Sequence, residues 1–137
     1  MIPTLQKYYG QNYFILTVDD DWIYKNEYIE TMLNEIKEYD VYCPHNCVIG
    51  NRMIYKSYIF EECFWNNLTS DIIETGVDDS YILSYLKYKK VKMKLQFNQR
   101  IKEMIKPYNE VSPLHDYYKQ NNRINLSNIL SNKIWKI

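Results

Sequence analysis

The sequence has few glycines and prolines, and it contains no segment in which they gather into a linker. The 137 residues include only three glycines and four prolines, and neither a repeat nor a low-complexity tract interrupts the chain. A chain of this length can bury a hydrophobic core, so neither disulfides nor a metal ion is required merely to fold it. These absences predict a single domain over residues 1–137.

Net charge of either sign is also absent, because 17 basic residues balance 17 acidic ones. Nucleic-acid-binding domains usually carry an excess of basic residues, so we expect no nucleic-acid partner. The longest apolar run, Tyr13–Val18, is far too short to cross a bilayer. The first residues also lack the basic and apolar regions of a secretory signal. We therefore expect a cytoplasmic protein.

The three cysteines do not follow a known motif. Their number is odd and no export signal is visible, so reduced thiols are the expected state. Cys43 and Cys47 enclose the sequence Pro-His-Asn, which together with Cys63 suggests a zinc site. This spacing matches no common structural zinc motif, however, and we predict buried free thiols instead.

Segments with the periodicity of strands and of helices alternate along the chain. Tyr13–Val18 has the length of a buried strand, and Asp78 opens a helix. The apolar face of that helix consists of Tyr81, Ile82, Tyr85 and Leu86. The other predicted elements are helices over residues 3–9, 26–39 and 60–66, strands over 41–49 and 91–97, and a C-terminal helix with Leu126, Ile129, Leu130, Ile134 and Ile137 on one face. This alternation predicts the α/β class.

Three consecutive aspartates, Asp19, Asp20 and Asp21, directly follow the apolar run. The carboxyl ends of parallel strands face the ligand crevice of an α/β sheet, so this position suits a binding site. Carboxylates, completed by phosphate oxygens, are the usual ligands of Mg²⁺ and Mn²⁺. The alternative is a solvated turn that caps the next helix. That role needs only one aspartate, which favours metal–phosphate chemistry.

Two segments resemble a known protein family. Tyr13–Tyr24, with the sequence YFILTVDDDWIY, and Tyr28–Leu33 after it resemble the DXD segment of bacterial nucleotide-sugar glycosyltransferases of the GT-A fold. Thr75–Leu83 and Val91–Lys94 resemble the later block of the same family, in which an acidic pair opens a helix that is followed by a strand. The resemblance extends over residues 2–97, with a fainter similarity over 112–130.

The resemblance implies a partial GT-A fold, which is a Rossmann-like mixed sheet flanked by helices. In this family an upstream βαβ segment makes most contacts to the base and ribose of the nucleotide, and the resemblance implies a domain without that N-terminal part. The implied function is a metal-dependent, hexosyltransferase-type glycosyltransferase, or its C-terminal half, that transfers a sugar from a nucleotide-sugar donor to a saccharide or lipid-linked acceptor in polysaccharide or glycolipid assembly. The implied cofactor is Mn²⁺ or Mg²⁺, and a partner chain would supply the missing half.

The resemblance also implies roles for the first acidic block. Asp21 would be the main metal ligand, Asp19 would contact the ribose or the metal, and Asp20 would assist. A metal ion that bridges the diphosphate stabilises the charge that develops on the leaving group. His115 would be a further metal ligand from the C-terminal segment, and the alternative is a histidine at the surface or at a helix start.

The second acidic block would supply the base that removes the proton from the acceptor hydroxyl. Asp79 is the first choice for this role, with Asp78 beside it. Aspartate is also favourable at the start of a helix, so the alternative is a purely structural pair. The two roles are compatible, because a capping aspartate can hold its neighbour in place.

Several other side chains have two interpretations. Arg52 has a guanidinium that suits a phosphate. Four aromatic residues could stack on sugars, although core packing is more frequent; they are Trp22, Tyr24, Phe64 and Trp65. Lys133 and Lys136 beside the apolar stripe of the last helix would permit peripheral contact with the inner face of the membrane, and packing onto the sheet is the alternative.

Two other functions compete with the transferase. The first is a non-catalytic glycosyltransferase remnant or subunit that works only with a partner half. The second is a metal-dependent phosphoryl-transfer enzyme, which also uses aspartates at strand ends. That chemistry requires a Thr or Ser phosphate loop after the aspartates, whereas Trp22-Ile23-Tyr24 follows here.

Overall fold

A computed structural model describes residues 2–20, 22–45, 52–75, 78–108 and 123–136. Within these ranges helices and strands alternate, which confirms the mixed α/β class. The helices are α1 (Ile2–Tyr8), α2 (Tyr28–Ile36), α3 (Glu62–Asn66), α4 (Ser70–Thr75), α5 (Asp78–Tyr88), α6 (Gln99–Lys102) and α7 (Arg123–Trp135), with a 3₁₀ turn at Ser57–Ile59. The strands are β1 (Phe14–Leu16), β2 (Trp22–Tyr24), β3 (Val41–Cys43), β4 (Ile54–Lys56), β5 (Met93–Leu95) and β6 (Ile105–Pro107).

Four strands form a mixed sheet in the order β1-β4-β3-β5. β4 is antiparallel to both of its neighbours, and β3 is parallel to β5. Therefore β1, β3 and β5 all run in one direction, and β4 runs in the opposite one. β2 and β6 form a separate antiparallel pair, in which Tyr24 lies opposite Ile105.

The two faces of the sheet are both covered. On one face, Tyr42 and Ile54 pack with Tyr28, Met32 and Ile36 of α2. On the other face, the alternate residues of the same strands join a larger cluster with α1, α3, α5 and α7. Successive side chains of a strand point to opposite faces, so each short central strand contributes to both cores.

The aromatic side chains of α3, α5 and α7 pack together in the larger cluster. Phe64 lies among four other rings, those of Phe60, Trp65, Tyr81 and Tyr85. All four residues that were predicted for the apolar face of α5 are buried, which confirms that face. Core packing is therefore the correct interpretation of Phe64, and Trp65 also packs against this cluster.

One prediction about burial is wrong, and a second is correct only in part. β1 is an edge strand among the described strands, and Tyr13, Phe14 and Val18 are more than half exposed, so Tyr13–Val18 is not a buried strand. In α7 the buried residues among those described are Ser127, Ser131 and Trp135. Of the predicted apolar face, Leu130 and Ile134 are half-buried and pack against the larger cluster, Leu126 and Ile129 are exposed, and Ile137 lies outside the described residues. The serines are small enough to let α7 approach α5, and the helix packs on α4 and α5 rather than on the sheet.

The predicted boundaries are otherwise close to the observed ones, although the strands are shorter. The strand over 41–49 ends at Cys43, and residues 46–49 lie outside the described ranges. Within those ranges, no helix has the length and apolar character needed to span a bilayer.

Candidate functional site

The direction of the strands brings several loops to one edge of the main sheet. β1, β3 and β5 all end there, and they lead into Asp19, His45 and Asn98 respectively. β4 runs the other way, so it begins at this edge, directly after Arg52 and Met53. We call this edge, with Asp19, Trp22, Tyr24, His45 and Arg52, the site edge. Ligand sites in α/β proteins commonly occupy the carboxyl ends of the strands.

Thr17 and Met53 fix the position of Asp19 relative to Arg52. The Thr17 N–H donates to the Met53 carbonyl at 2.9 Å, and the Met53 N–H donates to Thr17 Oγ1 at 3.0 Å. These bonds continue the β1–β4 pairing beyond the strands. Asp19 and Arg52 therefore emerge side by side, although 33 positions separate them in the sequence.

Arg52 contacts both an acidic and an aromatic side chain. Its Nε lies 3.8 Å from Asp19 Oδ2, and both side chains are mostly buried. Its Cζ lies 4.4 Å from the centre of the Trp22 ring, which is within the range of a cation–π interaction. The distance to Asp19 permits an ion pair, but Arg52 Nε makes no hydrogen bond. The guanidinium is therefore held by charge and stacking.

Tyr24 closes the loop that carries the aspartates. Its hydroxyl accepts a hydrogen bond from the Asp19 N–H at 2.9 Å and lies 3.3 Å from the Asp19 carbonyl. Its ring packs against Tyr28, with 4.8 Å between the centroids. These contacts give Trp22 and Tyr24 structural roles in shaping the site edge.

Two further polar groups are buried at this edge without a hydrogen-bond partner. They are the Tyr28 hydroxyl and His45 Nε2. Burial, followed by the neighbouring Tyr24, raises the pKa of Tyr28, so its hydroxyl stays neutral. Burial is also the largest cause that lowers the pKa of His45, and the charges of Arg52 and Lys102 lower it further. The imidazole is therefore neutral at pH 7.

The loops after β3 and β5 are tied together beside His45. The Asn98 N–H donates to the Pro44 carbonyl at 3.0 Å, and the Asn98 side chain caps α6 by accepting from the Ile101 N–H. This cap positions α6, which carries Lys102. A lysine and an arginine thus both act electrostatically on His45.

The described residues fit a divalent cation in chemistry but do not complete a shell. Asp19 is half-buried and Asp20 is exposed, and their oxygens are the ligands that Mg²⁺ and Mn²⁺ prefer. In the described part of the chain, no group of three acidic, histidine or cysteine side chains could hold a metal. Asp21 and His115, which were predicted as ligands, lie outside the described residues.

The second acidic block begins α5, as predicted. Asp78 is its first residue, and Asp79 is half-buried in its first turn. The side chain of Asp78 is not among those described. Of the cysteines, Cys43 is buried and Cys63 is half-buried, and both are free thiols; Cys47 lies outside the described residues.

Comparisons with models of protein families, with curated protein sequences and with solved structures gave no match to this chain. The fold and the site edge therefore define the class of the molecule as a mixed α/β domain with a polar cluster at the carboxyl ends of its strands.

The sequence alone did not identify His45 and Tyr28 as part of this cluster. The sequence marks His45 only through the Cys43–Cys47 spacing, and it marks Tyr28 only as the first residue of the segment Tyr28–Leu33. Arg52 was noted for its affinity for phosphate, but no sequence signal connected it with Asp19. The predicted strand over 41–49 contained His45, and only the observed end of β3 at Cys43 places His45 in the loop after the strand, as Asp19 is after β1.

Proposed function

We propose that this chain is a metal-dependent glycosyltransferase, or the half of one, that uses a nucleotide-sugar donor and a saccharide or lipid-linked acceptor. The observation that carries the proposal is the juxtaposition of Asp19 and Arg52 at the site edge. A carboxylate suits a divalent cation, and a guanidinium suits phosphate oxygens. One edge of the sheet therefore offers both components of a site for a metal-bound diphosphate.

The first acidic block would hold Mn²⁺ or Mg²⁺ through Asp19, Asp20 and Asp21. Such a cation, when bound, stabilises the negative charge that develops on a diphosphate leaving group. The chain itself positions Asp19 through the Tyr24 hydroxyl, and the Trp22 ring keeps Arg52 beside it. These contacts preorganise the edge before a ligand arrives.

Asp79 is the proposed base for the acceptor hydroxyl. α5 leads into β5 through residues 89–92, and a helix with so short a connection usually runs antiparallel to the strand that it precedes. This direction favours a position of the first turn of α5 near the carboxyl end of β5, which is the side of the sheet that carries Asp19. A carboxylate there can accept the proton that the acceptor hydroxyl loses during attack.

The alternative is a subunit that works only after a partner chain pairs with β1. The observation that favours it is the position of β1 at the edge of the sheet formed by the described strands, where Tyr13 and Phe14 are more than half exposed. A groove of about 440 Å³ runs along this strand. It is lined by Thr4, Tyr8, Tyr13, Phe14, Ile15 and Leu16. An exposed strand edge readily pairs with another chain, and Phe14→Lys would block such pairing.

A phosphoryl-transfer enzyme receives less support. Trp22–Tyr24, which follows the aspartates, is strand β2 and pairs with β6. The backbone N–H groups of a paired strand are not arranged as a loop that cradles a phosphate.

Calorimetric titration with UDP and GDP, with and without Mn²⁺, tests the proposal. We expect binding that requires the metal and is lost in Asp21→Asn. Asp71→Asn, which removes an exposed carboxylate in α4, is the matched control and should bind like the wild type.

If the folded chain binds neither nucleotide, the titration is repeated in the presence of a protein that supplies the upstream βαβ part of a GT-A domain. Metal-dependent binding only in that mixture would favour the partner-dependent alternative. Absence of binding in both experiments would contradict the transferase.

A further inference from the structure

Arg52 is held in a constrained way at the site edge. Its backbone has a φ of +64°, a conformation that residues with a side chain seldom adopt. Its guanidinium stacks on Trp22, and its Nε is buried without a hydrogen bond. Such strain persists only where surrounding contacts maintain it, and it is often found at ligand sites. The fold therefore holds the guanidinium of Arg52 at the site edge but leaves its Nε donor without a hydrogen-bond partner.

The contact between Arg52 and Asp19 is longer than a charge-assisted hydrogen bond. The two atoms lie 3.8 Å apart, whereas such bonds are typically about 2.7–2.9 Å long. Half-buried ions that do not form a close bond recover little of their desolvation cost. The guanidinium would gain from a ligand whose oxygens approach more closely.

The surroundings of Arg52 suit an anion. His45 Nε2 is buried without a partner, and the Tyr28 hydroxyl is buried and unpaired beside Tyr24. Lys102 adds a second positive charge near His45. The unpaired Tyr28 hydroxyl together with the two cations can bind phosphate oxygens, and the carboxylate of Asp19 suits a cation bound to the same phosphate.

We propose that Arg52 binds the phosphate groups of a diphosphate ligand, and that its ion pair with Asp19 is exchanged when a metal-bound diphosphate enters. Asp19 then faces the cation, and Arg52 faces the phosphate oxygens. Without a ligand, the ion pair would keep both charges compensated. The identity of the ligand rests on the proposed function, but the binding of an anion by Arg52 does not.

Binding of inorganic pyrophosphate without metal tests the anion site directly. The indole N–H signal of Trp22 is followed by NMR, with Trp22→Phe to assign it. We expect Arg52→Gln to weaken binding about tenfold to a hundredfold, the effect of a lost hydrogen bond to a charged group. Arg52→Lys, which keeps the charge but not the planar fork, should bind with intermediate affinity.

Lys89→Gln is the matched control, because it removes another ion-paired cation, 2.8 Å from Glu61 in a different part of the molecule. It should bind pyrophosphate as the wild type does. Thermal unfolding of each variant shows whether it is folded. If Arg52→Gln does not fold, the comparison of Arg52→Lys with the wild type still tests the proposal.

Asp19→Asn separates the exchange from simple anion binding. Without metal it should bind pyrophosphate several-fold more tightly than the wild type, because Arg52 loses its competing partner. The same variant should lose the Mn²⁺-dependent part of UDP binding.

Three results would overturn the inference: no pyrophosphate binding by the wild type, equal binding by Arg52→Gln, or weaker metal-free binding by Asp19→Asn. The proposed function can fail separately. If pyrophosphate binding depends on Arg52 but neither UDP nor GDP binds with Mn²⁺, the anion site stands and the transferase does not.

Discussion

Tyr85 and Tyr28 show that two regions of this molecule bury the same side chain in different ways. In the aromatic cluster, the Tyr85 hydroxyl donates to the Ile59 carbonyl at 2.7 Å and accepts from the Glu61 N–H at 3.0 Å. At the site edge, Tyr28 is equally buried, but its hydroxyl has no hydrogen-bond partner. Burial raises the pKa of both hydroxyls, so both remain neutral.

The difference separates a region built for stability from one that retains unused polar groups. The aromatic cluster also contains unpaired polar atoms, in Trp65, Ser131 and Trp135, but none of them belongs to a charged group. At the site edge the unpaired atoms belong to Tyr28, His45 and Arg52, beside the carboxylate of Asp19. A buried polar atom without a partner destabilises the fold, so their grouping is expected where a ligand binds.

The largest effect should come from emptying the aromatic cluster. Phe64→Ala removes a ring that contacts four others and should lower the free energy of unfolding by about 3–5 kcal/mol, because a cavity remains. Phe14→Ala, at the exposed edge of β1, is the control and should change it by less than about 0.5 kcal/mol. Urea denaturation measures the free energy of unfolding of both variants. A similar decrease in Phe64→Ala and Phe14→Ala would contradict the distinction between the two regions.

The two tyrosines provide a sharper test with an intermediate effect. Tyr85→Phe leaves the Ile59 carbonyl and the Glu61 N–H without their partner and should cost about 1–3 kcal/mol. Tyr28→Phe removes a hydroxyl that has no partner, so the expected change is within about 0.5 kcal/mol. Urea denaturation of both variants checks the pair. A Tyr28→Phe variant as unstable as Tyr85→Phe would show that the Tyr28 hydroxyl is engaged in the folded chain.

The smallest effect concerns the pH dependence contributed by His45. Burial, Arg52 and Lys102 lower its pKa in the folded chain below the ordinary 6.5. The unfolded chain then takes up the proton first as the pH falls, so the free energy of unfolding should decrease below about pH 6.5.

His45→Gln should remove this part of the decrease. Urea midpoints at about pH 7.5 and about pH 5.5 for the wild type and the variant provide the measurement. An identical decrease in both proteins would contradict a buried neutral imidazole at the site edge.

Local sequence patterns predicted where helices and strands occur better than they predicted which of their side chains are buried. The apolar face of α5 was predicted correctly because its four residues follow helical spacing and are all buried. In α7 the same reasoning selected Leu130 and Ile134, which pack against the larger cluster, but also Leu126 and Ile129, which are exposed. It overlooked the buried Ser127 and Ser131. Hydrophobicity cannot show that a helix needs small residues for close approach to its neighbour.

β1 illustrates the same limit. Its composition is that of a buried strand, yet it lies at the edge of the described sheet, with Phe14 exposed. Whether a strand is central or at an edge depends on which other strands pair with it, and a single apolar run carries no information about that.

The sequence by itself determined the α/β class, the helix that begins at Asp78 and the position of Asp19 and Asp20 shortly after a strand. These features depend on spacing and composition within about ten residues of each other. Only the tertiary structure decided that Arg52 stacks on Trp22 beside Asp19, with His45 at the same edge. Those neighbours meet because β4 runs against β1 and β3, and the pairing of distant strands depends on the packing of the whole chain rather than on any local pattern.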